Sequence, residues 1–258
     1  MDRLVHIVPL GWEIDRAVLP IHHYRAHEVH ILCNPESRPE QKQAYRQVEK
    51  ALKATGAKVS LVIVDANDDI RGILRETTRL IKAALKNGDR VYVNMSAAGK
   101  VAAAAATIAA LAHLPRDRGV VYYVRPESYV HTDEDVKKYG LTRGMKGEPV
   151  PLPRFDLRLP PEDGQLILRE LRKRLPNPLT YKEAIYLLRD AGVSGFEGAK
   201  YEKNTPRAEK NRLNVRFNKG ILQKLLAENL VKIRPRGQRR EILLTSEGDY
   251  VAHLCMGS

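Results

Sequence analysis

Two cysteines, one tryptophan and three phenylalanines in 258 residues leave several protein classes without their raw material. Cys33 and Cys255 stand far apart with no CxxC pair, so neither a disulfide framework nor a thiolate zinc site is implied. Both thiols are expected to be inert. No run approaches the roughly 20 uninterrupted apolar residues of a membrane helix, and the opening MDRLVHIVPLGWEID flanks too short an apolar run for a signal peptide. No membrane partner is expected, and the cytoplasm is the expected location. Glycine-rich phosphate loops are missing too. A Walker A loop ending at Lys100 would need glycine at position 94 and Ser or Thr at 101, where Asn94 and Val101 stand. The first apolar run leads into VPLGWEID, with Gly11 alone in place of GxGxxG. ATP hydrolysis and dinucleotide redox chemistry find no support, and no cofactor is expected. No Ser-His-Asp order or paired carboxylates can be defended, so no catalytic set is assigned.

What is abundant is positive charge. The chain carries a formal net charge of +13, a balance that suits a polyanionic partner or an ion-rich surface. The excess is uneven: residues 1–150 carry +5, and the shorter segment 151–258 carries +8.

Through the first 125 residues, short runs of Val, Ile and Leu alternate with longer helical patterns, as in a parallel sheet with crossover helices. The candidate strands are 4–9, 28–33, 58–65, 90–95 and 119–124, most of them expected to be buried on both faces. Between them, Ile70, Ile73, Leu74, Thr77, Ile81, Ala84 and Leu85 recur at helical spacing, and VAAAAATIAALAHL at 101–114 has high helix propensity with small side chains nearly all round. Such a helix can approach a sheet or a partner subunit closely. Five prolines in EPVPLPRFDLRLPP, residues 148–161, read as a connector and an edge strand. The expected layout is therefore a sensing domain over 1–147, a linker over 148–161 and a second domain over 162–258.

Beyond the linker, 162–175 reads as a helix, Thr180 and Glu183 have the spacing of a capping box, and Gly192 ends the helix that follows. A third helix lies between Pro206 and Glu228. At about 100° per residue, Leu213, Phe217, Ile221 and Leu225 line one side of it, while Arg212, Arg216, Lys219 and Gln223 lie roughly opposite. Lys210 precedes this series. Residues 230–234 and 241–245 form a hairpin around a basic turn that supplies Arg236, Gln238, Arg239 and Arg240, and a short helix follows from Ser246. A helix presenting cations and amides can neutralise phosphates and read base edges in the major groove. The segment ILQKLLAENLVKIRPRGQRREILLTSEGDY resembles the third helix, wing and closing helix of winged helix-turn-helix transcription regulators. What that resemblance implies is double-stranded DNA as a partner, with Lys210, Arg212, Arg216, Lys219, Gln223, Arg236, Gln238, Arg239 and Arg240 as its contacts.

In the first half, VYVNMSAAGKV runs from a strand into the alanine-rich helix. In open α/β sheets ligands bind beyond the carboxyl ends of the strands, where helix N-termini offer unpaired N–H groups to anions. Asn94, Ser96 and Lys100 add side-chain donors there, and Ala97, Ala98 and Gly99 keep the backbone accessible. The series Asn94, Met95, Ser96, Ala97, Ala98, Gly99, Lys100 resembles the signature of CARF domains, the CRISPR-associated Rossmann-fold sensors of cyclic oligoadenylates. The whole chain resembles archaeal regulators that join a CARF domain to a winged helix. The fold implied is α/β, a Rossmann-like parallel sheet followed by a winged helix-turn-helix domain.

The resemblance further implies a homodimer whose paired loops hold one cyclic oligoadenylate, with cyclic tetra-adenylate the expected effector. The loop Leu10, Gly11, Trp12 would form the other side of the pocket. Ala97 and Ala98 depart from the family, which often has glycine there, and this bears on the identity of the ligand. Some CARF domains also cleave the ring slowly, so Ser96 and Lys100 would be the residues of an alternative ring-opening nuclease. A protein-interaction adaptor is the remaining alternative. His22, His23, His27 and His30 lack the glutamate of a HExxH site, and they are read as surface and core histidines.

Overall fold

The computed structural model describes residues 2–65, 69–153, 157–236 and 239–256. They fall into two compact units, Met1–Leu157 and Arg158–Met256.

The first unit runs β1 (Leu4–Pro9), α1 (Asp15–Tyr24), β2 (Glu28–Cys33), α2 (Pro39–Lys53), β3 (Lys58–Ile63), α3 (Ile70–Lys86), β4 (Arg90–Asn94), α4 (Lys100–His113), β5 (Gly119–Tyr123), β6 (Ser128–Tyr129), α5 (Asp133–Tyr139), β7 (Thr142–Arg143) and β8 (Val150–Pro151). The main sheet has the order β3-β2-β1-β4-β5-β8, parallel except for β8, which pairs antiparallel with β5. Proline is tolerated in β8 because it lies at the sheet edge. The strand order reverses between β1 and β4, as in doubly wound α/β folds. β1 and β2 are buried almost throughout, whereas β3 is only half-buried and Ile63 stands exposed, because β3 closes the opposite edge. Among the five strands expected from sequence, β3 is the one that departs from the expectation that most are buried on both faces.

Helix ends follow local chemistry. Asp69 caps α3 by accepting from the Gly72 amide at 2.7 Å, and Pro39 opens α2 with φ already set for a helix. Ala102, Ala105, Ala106, Ala109 and Ala110 are all but fully buried, and their small side chains allow α4 to pack closely along α3. Residues of α1, α2, β1 and β2 share one core cluster on the other face, with Ile21, Ile31, Val48 and Leu52 at its centre. The acids Asp133, Glu134 and Asp135 form the first turn of α5 behind the Thr132 cap, a favourable place for negative charge.

The second unit runs α6 (Glu162–Arg174), β9 (Leu179–Thr180), α7 (Tyr181–Asp190), α8 (Arg207–Phe217), α9 (Gln223–Ala227), β10 (Val231–Arg236), β11 (Arg239–Leu244) and α10 (Ser246–Cys255). β10 and β11 form an antiparallel hairpin whose inner strand also pairs with β9. This helix-strand-helix-helix-hairpin order is that of a winged helix domain. The capping box at α7 is complete: Glu183 accepts from the Thr180 amide at 2.8 Å and Thr180 accepts from the Glu183 amide at 3.3 Å. Gly192 follows the end of α7 with φ +67°, the left-handed turn that glycine makes without strain. The expected third helix runs without a break from Arg207 to Ala227 and contains a π-turn over Asn218–Leu222, between α8 and α9. The extra residue in that turn carries Leu222 inward beside Ile221, and both are buried in the core with Phe217 and Leu225.

Candidate functional site

In the first unit, the loops that leave β1 and β4 meet at the strand-order reversal. Gly11 donates its amide to the Ala97 carbonyl at 2.7 Å, and the Gln41 side chain donates to the Leu10 carbonyl at 2.6 Å. Leu10 and Ala97 are fully buried, so both loops are anchored in the core.

Asn94 and Ser96 point inward and build the turn. Asn94 Oδ1 accepts from the Ser96 amide at 2.7 Å, and Nδ2 donates to the Arg16 carbonyl at 2.8 Å. Ser96 Oγ accepts from the Val124 amide at 2.6 Å. Each is buried, so neither side chain is presented outward as the sequence suggested. Behind them, Arg16 Nε donates to the Val124 carbonyl, its guanidinium lies over the Tyr123 ring at 5.0 Å, and it pairs with Glu13 at 3.2 Å. Thr142 donates to the other Glu13 oxygen at 2.6 Å. Burial raises the Glu13 carboxyl above its ordinary value, against the opposing pull of Thr142 and Arg16.

What faces outward is Gly99, Lys100 and Val101, all exposed, with Trp12, Met95 and Ala98 half-buried beside them. Gly99 precedes α4 in extended geometry and no side chain caps the helix among the described residues. The first-turn amides of α4 and the Lys100 ammonium thus lie together at the carboxyl end of the sheet, where the macrodipole favours an anion. Of the ten residues suggested by sequence, all ten lie together; Trp12, Met95, Ala98, Gly99 and Lys100 are accessible, and Leu10, Gly11, Asn94, Ser96 and Ala97 are buried.

In the second unit, Leu213, Phe217, Ile221 and Leu225 are buried, while Arg212, Arg216, Lys219, Gln223 and Arg240 are exposed. The two faces that helical arithmetic separates are therefore separate. Lys210 is half-buried, its ammonium donating to the Lys203 carbonyl at 3.2 Å. Arg216 is not a free cation, because Nη1 donates to the Gly195 carbonyl at 2.8 Å. Arg236 and Arg239 pair their backbones at the tip of the hairpin, and Gln238 lies outside the described residues.

Two depressions flank α8. One of about 800 Å³ lies between α7 and α8, lined by Tyr181, Lys182, Tyr201, Lys210, Asn214 and Arg240 among others. The second, about 640 Å³, lies along Asn211, Arg212, Val215, Arg216 and Lys219. The α7 side was missed in the sequence. Its one readable signal was the spacing of Asn214 and Asn218, two amides one turn apart on a helix.

The four histidines between 22 and 30 have separate surroundings. His27 Nδ1 accepts from the Leu4 amide at 3.0 Å, and His30 bonds to Ser60 at 2.6 Å. Cys33 is buried, which pushes its thiol up to about 12 and keeps it protonated. No helix among the described residues is long and apolar enough to cross a membrane.

Residues 4–129 match the family model described as HFX_2341_N-like, N-terminal, and residues 163–255 match the DUF6293 C-terminal winged helix domain. No curated protein matches the chain. Among solved structures, protein VC1899 from Vibrio cholerae is 12% identical with a TM-score of 0.40, over 93% of this chain and 75% of that one. Csm6 from Enterococcus italicus, bound to cyclic hexa-2'-fluoro-hexa-dAMP, is 8% identical with a TM-score of 0.42, over 89% of this chain and 56% of that one. Can2 from Sulfobacillus thermosulfidooxidans, in complex with cyclic tetra-adenylate, is 14% identical with a TM-score of 0.37, over 97% of this chain and 64% of that one. The chain thus spans less than two thirds of the latter two proteins, and at these scores the likenesses carry no argument about function.

Proposed function

From a chain that carries an HFX_2341_N-like N-terminal domain followed by a DUF6293-type C-terminal winged helix domain, we propose a ligand-responsive, DNA-binding regulator. The observation that carries this reading is the outward face of α8 and the π-turn after it, where Arg212 and Lys219 stand exposed opposite the buried Leu213, Phe217 and Ile221. Exposed cations on that helix and on the wing suit the phosphates of double-stranded DNA.

The sensing half takes a polyanionic nucleotide at the entrance of α4. The amides of its first turn and Lys100 supply the anion seat, and Trp12, Met95 and Ala98 supply apolar surface for bases. A cyclic oligoadenylate suits this combination, and cyclic tetra-adenylate is the ring we expect, held by the paired loops of a homodimer. Asn94 and Ser96 act from behind by holding the loop open. Because the Ser96 hydroxyl is bound to the Val124 amide, the loop is read as binding its ligand and not as opening the ring.

Two measurements test the reading. Fluorescence anisotropy with labelled duplex should show affinity falling linearly in log–log form with salt, as released counterions require. The double substitution Arg212→Ala, Lys219→Ala should weaken binding about tenfold or more at low salt; unchanged binding would overturn the DNA assignment. Calorimetry against a panel of cyclic oligoadenylates should give heat with the tetra-adenylate ring, and silence across the panel would remove the sensor assignment.

A further inference from the structure

We propose that Asn214 and Val215 read one A·T base pair of the operator, with Tyr201 as the residue that positions Asn214. This rests on the reading of the second unit as a duplex-binding domain and adds which residues make the binding selective.

Val215 occupies the crest of α8. At about 100° per residue it lies opposite the midpoint between Leu213 and Phe217, the two residues that bury the helix. It is 53% exposed and borders both depressions, so it forms the ridge between them. Valine is a poor helix former, and exposing it adds nothing to the fold. A branched apolar group on the crest of such a helix is the contact that the 5-methyl of thymine takes in the major groove.

Asn214 lies one residue back, on the α7 side of that ridge. Tyr201 Oη donates to Asn214 Oδ1 at 3.0 Å. The bond fixes the amide: the oxygen keeps one lone pair, and both Nδ2 hydrogens remain to donate. That is the pattern that meets adenine, whose N6 amino group donates and whose N7 accepts. Tyr201 is itself held, since its amide donates to Tyr186 Oη at 3.1 Å, and Tyr186 in turn donates to Glu202. The tyrosine pair thereby orders the amide before any DNA arrives.

The arginine that would compete for guanine is restrained. Arg216 Nη1 donates to the Gly195 carbonyl at 2.8 Å, and Gly195 adopts φ +84°, where a Cβ would fall inside the guanidinium. Arg216 therefore fastens the loop before α8, which leaves Arg212 and Lys219 as phosphate contacts that carry no sequence information.

The test is selection of duplexes from a random pool by the full-length protein, repeated with Asn214→Ala, Tyr201→Phe and Arg212→Ala, and followed by titration on the selected site. Wild type should fix an A·T pair. Asn214→Ala should lose about tenfold or more of the discrimination at that pair alone, Tyr201→Phe should lose part of it at the same pair, and Arg212→Ala should weaken every sequence alike. Replacing the thymine of that pair by uracil should cost wild type about fourfold, the worth of one buried methyl, and should cost Val215→Ala nothing. If Asn214→Ala selects the same site as wild type, or uracil binds as thymine does, this inference is wrong while the DNA-binding reading stands. If wild type binds no duplex, both fall together.

Discussion

The Gly11 amide and the Ala97 carbonyl meet at 2.7 Å, which makes the β1 loop and the β4 loop one backbone-linked structure at the strand-order reversal. The approach leaves little room: a Cβ on Gly11 would lie 3.3 Å from the Ala98 Cα and 3.5 Å from the Ala97 oxygen. Gly11→Ala should fit with a small shift, and Gly11→Leu should overpack the junction and cost about 1–3 kcal/mol. Thermal melts of the two variants check this, and equal melting temperatures would show that the loops part more easily than their geometry suggests.

Lys100 and Ser96 should separate binding from architecture. Ser96→Ala removes the acceptor of the Val124 amide, a buried donor left unpaired at about 1–3 kcal/mol. Lys100→Ala changes an exposed side chain and should alter stability by less than about 0.5 kcal/mol, yet lower affinity for cyclic tetra-adenylate by about tenfold. Melts and calorimetry on the same preparations distinguish the two. A ligand affinity indifferent to Lys100 would move the anion seat elsewhere.

How far this outcome could be read beforehand depends on the kind of interaction. The five parallel strands and the helix over 70–86 were legible because β-branched runs and the 3.6-residue repeat carry a local signal. The Thr180 capping box was legible for the same local reason. Asn94 and Ser96 were legible as residues that matter, but not in their direction, because their partners Arg16 and Val124 are 78 and 28 residues away and only the folded sheet brings them close. The π-turn at Asn218–Leu222 was not legible, since a single extra residue leaves no periodic trace, although the two faces of the helix stay as the spacing has them. The bond from Arg216 to Gly195 was hidden because the two lie 21 positions apart in the chain.

His6 should make the protein acid-sensitive. It is fully buried among Tyr24, Tyr92 and Tyr122, bonded to Tyr122 Oη at 3.1 Å, and burial holds its imidazole down to about 3. The unfolded chain takes up a proton on this residue below about 6.5, and the folded chain does not until about 3. Stability is therefore intact above 6.5 and falls as pH drops, by up to about 1.4 kcal/mol per pH unit. His6→Phe keeps the ring packing and removes the titrating group. Urea unfolding between pH 6.5 and 5 should show a steeper slope in wild type than in the variant, which keeps the smaller contribution of His30, also held down by burial. Parallel curves would mean that the imidazole is protonated in the folded protein.

Arg216 and Gly195 offer the sharpest contrast with Arg212. Both arginines are exposed cations on α8, and charge alone would give them equal weight in DNA binding. The bond to the Gly195 carbonyl makes them unequal, because removing Arg216 also releases the loop between α7 and α8. Gly195→Ala attacks the same clasp without touching the charge: it places a side chain at φ +84° and drives a Cβ into the guanidinium. Arg216→Ala and Gly195→Ala should both speed amide hydrogen exchange over residues 193–199, and Arg212→Ala should leave that exchange at the wild-type rate. Salt titrations with duplex then complete the separation, since Arg212→Ala should reduce the log–log slope by about one and Gly195→Ala should not. Should Gly195→Ala exchange at the wild-type rate, the guanidinium would have a second resting place, and Arg216 would return to the pool of cations that can reach DNA.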